Sequence, residues 1–131
     1  CDLKGMPVPR RDLLDRGLYV NGFNTVQATR GCPRDCAYCA VTGVFGRTFR
    51  TRPVAEVIAE IRGFDTRNFI FVDDNICGDP AYARELFRAL LPLRRTWGGQ
   101  TDITLARSDE LLRLYARSGG QYAFIGFESL S

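Results

Sequence analysis

Cys32, Cys36 and Cys39 stand in Cys-Pro-Arg-Asp-Cys-Ala-Tyr-Cys, which places three thiols within eight residues. A closed tetrahedral zinc site, or a cluster held wholly by cysteine, calls for four protein ligands. Three thiolates on one tight loop instead suit a 4Fe–4S cubane whose fourth iron is left for a molecule that is not protein. An iron with an open position can bind a small molecule and change it chemically. The chain contains no histidine. That removes His general bases, His triads and every zinc signature built on imidazole.

The elements that must position this loop alternate along the chain. Thr25-Val26-Gln27-Ala28-Thr29 reads as a strand that runs directly into the cysteine loop. Pro53 opens a helix, since its missing N–H is harmless in a first turn. Val54, Val57, Ile58 and Ile61 follow at one-face spacing, with Gly63 as the stop. Phe69-Ile70-Phe71-Val72 is a short apolar run of the kind expected for a strand buried on both faces. Asp79 and Pro80 start a second helix with Ala83, Leu86, Phe87 and Leu90 inward. Trp97 to Thr101 is a weaker strand, where Gly98 and Gly99 imply close approach of another backbone. Ser108 caps a third helix with Leu111, Leu112 and Tyr115 on its apolar face, and Tyr122 to Phe127 is the fourth strand.

Such alternation predicts an α/β fold of parallel strands joined by crossovers. In these folds chemistry gathers at the carboxyl ends of the strands. The cysteine loop follows the first strand, Asp73-Asp74-Asn75 the second, Gln100-Thr101-Asp102 the third and Glu128-Ser129 the fourth. Four strand ends thus deliver polar residues to one rim.

Composition narrows the class. The chain has 131 residues, 45% hydrophobic and 25% charged, as ordinary globular material of at most one domain does. No apolar run approaches the ~18 residues of a membrane span. With 18 basic and 15 acidic residues the net charge is +3, a mixed solvated surface. Arg47, Arg50 and Arg52 form a cluster too small for a nucleic-acid platform, which concentrates basic residues among aromatics on one face. Five cysteines, an odd number, without a signal peptide favour metal-bound thiolates in the reducing cytoplasm over disulfides. Cys77 lies near the second strand's end and is expected to be a buried inert thiol; the alternative is a fourth cluster ligand. Residues 1–23 read as a linker with one short helix around Leu13, and residues 24–131 as the folded part. Absence of an initiator methionine suggests a piece of a longer chain.

Cys32-x3-Cys36-x2-Cys39, with Tyr38 before the last cysteine, resembles the signature loop of radical S-adenosylmethionine enzymes. Pro9-Arg10-Arg11-Asp12, Thr29-Arg30-Gly31-Cys32-Pro33, Arg50-Thr51-Arg52-Pro53, Val72-Asp73-Asp74-Asn75, Trp97-x2-Gln100 and Gly126-Phe127-Glu128-Ser129 resemble the branch of that superfamily with an N-terminal cobalamin-binding domain. The resemblance implies a partial (β/α) barrel, about four of six strand–helix units, truncated at its C-terminus. It also implies a 4Fe–4S cluster on Cys32, Cys36 and Cys39, and S-adenosylmethionine chelated to the fourth iron. One electron would cleave the sulfonium bond to methionine and a 5′-deoxyadenosyl radical, the cofactor carrying the difficult step.

The resemblance places Tyr38 against adenine, Asp73, Asp74 and Asn75 at the cofactor's amino group, Gln100 in the cavity wall and Glu128 at the ribose. The Asp-Asp-Asn triplet stands where many members of the wider superfamily carry Gly-Gly-Glu. Arg30, Arg50 and Arg52 are expected to be solvated or paired structurally. The branch implies a methyltransferase with cobalamin held outside this chain, although some members perform rearrangements and a cobalamin-free radical enzyme stays open. A small-molecule substrate and a reductant such as a flavodoxin or ferredoxin would be its partners. An isolated fragment is expected to be inactive. A non-catalytic iron–sulfur or zinc module is the alternative from a different class.

Overall fold

Four short strands build the framework of the computed structural model, which describes residues 3–18 and 24–127. They are β1 (Asn24–Val26), β4 (Asn68–Phe71), β5 (Thr96–Gln100) and β6 (Gly120–Phe124), lying side by side in that order and all parallel. Between them run helices α2 (Val54–Arg62), α3 (Pro80–Leu90) and α4 (Asp109–Arg117). This is the expected α/β arrangement, a partial (β/α) barrel in which the strands keep their chain order.

The first expected strand does not run straight into the cysteine loop. The chain leaves the sheet after Val26, and β2 (Thr29–Arg30) pairs antiparallel with β3 (Arg50–Thr51) in a separate ribbon. Arg52 N–H extends the ribbon by donating to the Ala28 carbonyl at 2.8 Å. Ribbon and sheet part because the N–H groups of Ala28 and Thr29 are taken by a side chain, the Asp73 carboxylate. The intervening segment, which includes a short helix α1 (Ala40–Phe45), is thereby closed at its neck.

Helix starts follow local chemistry. The Asp79 carboxylate accepts from the N–H groups of Ala81 and Tyr82, and the Ser108 hydroxyl oxygen from that of Leu111. Pro53 sits one position earlier than expected, at the N-cap of α2. Val57, Ile58 and Ile61, then Ala83, Leu86, Phe87 and Leu90, then Leu111 and Tyr115, are buried against Val26, Phe69, Phe71 and Trp97. Leu112 does not join them. It lies one position, about a quarter-turn, off the Leu111–Tyr115 line and is exposed. Aromatic rings run through this core edge to face, Phe64 to Phe69 to Phe71 to Trp97, with centroids 5.8, 5.2 and 5.1 Å apart. Trp97 satisfies its only polar atom by donating Nε1–H to the Ser118 carbonyl at 3.0 Å.

The run 69–72 is buried on one face only. Phe69 and Phe71 point at the helices, while Ile70 is half-buried and Val72 exposed. Ile70, Gly98 and Tyr122 share the opposite, concave face. There the expected close approach at Gly98 is the neighbouring strand itself: a Cβ on Gly98 would stand 3.1 Å from that of Tyr122.

The described part of the N-terminal segment is docked on α2. Leu3 is buried and donates its N–H to the Thr51 carbonyl, and the expected helix near Leu13 is a single 3₁₀ turn, Arg11–Leu13. Charge carries the rest of the attachment. Glu60 accepts from Arg52 at 2.5 Å and from Arg11 at 2.6 Å, and the Arg11 guanidinium lies over the Phe64 ring at 4.8 Å. Arg52 and Glu60 are nearly inaccessible, so Arg52 is paired structurally, as expected. Removing one partner of such a pair strands a buried charge. Glu60→Ala is therefore expected to lower stability by about 3–5 kcal/mol in denaturant unfolding, with the 3–18 segment becoming protease-sensitive.

Candidate functional site

The three cysteines emerge from the ribbon through Gly31. This residue has φ +85°, and a Cβ there would run into the Thr48 carbonyl oxygen, just before β3. Only glycine fits so tight a neck. Gly31 donates its N–H to Asp74 Oδ2 at 2.8 Å, which fastens the start of the loop to the end of β4. Cys39 then turns back, its N–H donating to the Cys36 carbonyl at 3.0 Å, and serves as N-cap of α1. Cys32, Cys36 and Cys39 are free thiols, each half-buried.

Arg34 crosses from this loop to the third strand end. Its Nε donates to Asp102 Oδ2 at 2.7 Å and its guanidinium reaches the Thr104 hydroxyl at 2.5 Å. The hydrogen bond and charge of Asp102 raise the Arg34 pKa above its usual value, and the nearby sulfurs of Cys32 and Cys36 add to that effect. Burial alone would raise the Asp102 carboxyl. Hydrogen bonds from Thr104, Arg34 and Asn75 outweigh it and hold the carboxyl below the ordinary range.

Asp73, Asp74 and Asn75 all reach the same corner, with their side chains turned toward protein. Asp73 is buried and accepts from Ala28 N–H at 3.1 Å, from the Thr29 hydroxyl at 2.7 Å and from Thr29 N–H. Burial pushes its carboxyl up to about 7 despite those donors, and the neighbouring Asp74 adds to the rise. Asp74 commits Oδ2 to Gly31; its Oδ1 has no hydrogen bond among the described residues. Asn75 lies between Cys32 and Asp102, donating to the Cys32 sulfur at 3.5 Å and to Asp102 Oδ2 at 3.1 Å.

The remaining residues expected at the site are less enclosed. Tyr38 is 68% exposed beside Cys39. Gln100 ends β5 with its side chain exposed, while its carbonyl accepts from Ile76 N–H at 2.9 Å. Glu128 lies outside the described residues. Cys77 is buried in the core, and burial pushes its thiol up to about 11. Asp102, expected on the rim with Gln100 and Thr101, is joined there by Arg34 and Thr104, which spacing did not single out. Of these, only Asp102 carries a signal, its place just past a strand's carboxyl end.

The donor set fits an iron–sulfur cubane. Among the described residues no three cysteine, aspartate or glutamate side chains stand close enough to share a single metal ion. A cubane instead seats each thiolate on a different iron. The loop offers three sulfurs, an N–H aimed at one of them and a guanidinium beside two. No helix among the described residues is long and apolar enough to cross a membrane.

Comparison with known proteins agrees with this chemistry. Residues 26–131 match the family model of the Radical SAM superfamily. The chain is 35% identical over 112 residues to bacteriochlorophyllide d C-12(1)-methyltransferase of Chlorobaculum tepidum, covering 81% of this chain and 25% of that one. It is 37% identical over 108 residues to cytidylyl-2-hydroxyethylphosphonate methyltransferase of Streptomyces wedmorensis, covering 77% and 20%. The fold matches that of the radical S-adenosylmethionine methyltransferase TsrM of Kitasatospora setae, solved with cobalamin and a 4Fe–4S cluster bound. There the TM-score is 0.74 and the identity 18%, over 84% of this chain and 22% of that one. The chain thus spans about a quarter of the length of these relatives.

Asp73 makes the corner pH-sensitive. Its folded-state value, about 7, lies above the unfolded value of 3.8, so folding takes up a proton between the two. Stability from this group is therefore greatest at the acid end and falls as pH rises through that window. Asp73→Asn is expected to remove that slope in denaturant unfolding series across the window. Asp73→Ala, which strands two main-chain N–H groups, is expected to cost about 1–3 kcal/mol.

Proposed function

The chain belongs to the Radical SAM superfamily, and on that premise we propose that it is the cluster-bearing part of a radical S-adenosylmethionine enzyme, a cobalamin-dependent methyltransferase. The observation that carries this reading is the thiol loop tied to two strand ends by Gly31–Asp74, Asn75–Cys32 and Arg34–Asp102. Cys32, Cys36 and Cys39 hold the cluster, which when bound supplies the electron that splits S-adenosylmethionine into methionine and a 5′-deoxyadenosyl radical.

The chain's own residues then bind and orient. Cys77 stays outside the ligand set, because its side chain packs in the apolar core and not on the loop that carries the other three sulfurs. The ammonium of the cofactor is met along 73–75. Asp74 Oδ1 is the carboxylate oxygen free to accept from it, since Asp73 and Asn75 spend their side chains on protein. Tyr38 would lie against the adenine through its backbone, Gln100 would line the cavity from the end of β5, and Glu128 would take the ribose hydroxyls. Methyl transfer and cobalamin are supported by the methyltransferases that the chain resembles and by the cobalamin bound in TsrM. Cobalamin would be held by residues outside this chain. The acceptor is a small molecule, the electron comes from a flavodoxin or ferredoxin, and the reducing cytoplasm keeps the thiols free for iron.

Anaerobic reconstitution of the full natural polypeptide tests the reading. About four irons and four sulfides per chain are expected, with an electron paramagnetic resonance signal that changes when S-adenosylmethionine is added. Cys36→Ala is expected to lose the cluster, and Cys77→Ala to keep both cluster and cofactor cleavage. One bound zinc, or a cluster indifferent to S-adenosylmethionine, would favour a structural module instead.

A further inference from the structure

The side-chain amide of Asn75 is engaged by protein groups at both its oxygen and its nitrogen. Its Oδ1 accepts from the main-chain N–H of Cys77 at 3.2 Å and from the Thr101 hydroxyl at 3.5 Å. A main-chain N–H can only donate, so Oδ1 must face it and the amide nitrogen must point the other way. On that side stand two acceptors, the Cys32 sulfur at 3.5 Å and Asp102 Oδ2 at 3.1 Å. A primary amide has two N–H bonds, and both are used. Asp102 is held in turn, accepting from Arg34 Nε at 2.7 Å and from Thr104 N–H at 2.8 Å. Asn75 is 2% exposed, so water competes little for these bonds.

We propose that Asn75 is a positioning residue for the cluster, donating a hydrogen bond to the ligand sulfur of Cys32 and raising the cluster's reduction potential. Asp102, braced by Arg34 and Thr104, aims it. The inference rests on Cys32 being a cluster ligand, as argued above. Its physics is simple. An added electron increases the negative charge on the cluster sulfurs, so an N–H aimed at one of them stabilises the reduced form more than the oxidised form. In a poorly hydrated corner that difference is little screened. The same bonds set the sulfur's place: Arg34 belongs to the cysteine loop, Asn75 follows β4 and Asp102 follows β5. Loop position and amide aim are therefore not independent.

Asn75→Leu in the full natural polypeptide keeps the branched heavy-atom skeleton and removes the donor without adding charge. We expect a cluster at wild-type iron content whose midpoint potential, from an anaerobic titration followed by electron paramagnetic resonance, is shifted to more negative values. Equal potentials in two proteins that both hold the cluster would sink the inference and leave the iron–sulfur reading standing. A wild-type protein that takes up no four-iron cluster would overturn that reading and this inference with it. Should Asn75→Leu fold poorly, the wild type decides. With isotopically labelled asparagine amide nitrogens, electron–nuclear double resonance should find a nitrogen coupling to the reduced cluster, and its absence would overturn the assignment.

Discussion

Two main-chain N–H groups, those of Ala28 and Thr29, leave the sheet and end on one buried carboxylate, Asp73. The cysteine loop depends on this joint. It parts the first strand from the ribbon, and the ribbon then closes the neck of the loop through Thr29–Thr51 and Arg30–Arg50. Adjacent residues repeat the motif. Asp74 takes Gly31, and Asn75 takes Cys32. A three-residue segment after β4 thus grips the loop at successive points, and buried groups of this kind are costly to leave unpaired. This segment sets the place of the Cys32 sulfur, while the loop itself contributes the turn from Cys36 to Cys39 and the bridge from Arg34 to Asp102.

The hydrophobic core supports that grip from below. Phe69 and Phe71 alternate with Ile70 along β4, so the strand that ends in the gripping segment is pinned by the aromatic row through Trp97. Behind the ribbon, Tyr82 on α3 donates its hydroxyl to the Arg52 carbonyl at 2.6 Å, and Arg52 in turn pairs with Glu60 on α2. Core packing, a buried ion pair and the loop neck are consecutive links in one chain of contacts.

Much of the fold is legible from local chemistry. Asp79 with Pro80, and Ser108 before two acids, mark helix starts because capping is decided within one turn of chain. The one-face spacing of Ala83, Leu86, Phe87 and Leu90 identifies the buried side of α3 for the same reason. The β2–β3 ribbon is not legible. Each strand is two residues long, and the pairing joins residues some twenty positions apart. Leu112 misleads because it stands about 100° around the helix from Leu111, off the buried Leu111–Tyr115 line, and the 69–72 run misleads because apolar composition does not say how many faces are covered.

At the site the same division holds. Residue types and spacing alone determine the donor chemistry: three thiols close in sequence, no imidazole anywhere, and polar residues after each strand. What only the tertiary structure decided is where those polar side chains turn. Asp73 and Asn75 look like ligand contacts in sequence but spend their hydrogen bonds on Ala28, Thr29, Cys32 and Cys77, while Arg34 finds Asp102 68 residues away. A polar group's partner is whatever packing brings within about 3 Å of it, and no local pattern encodes a distance across elements.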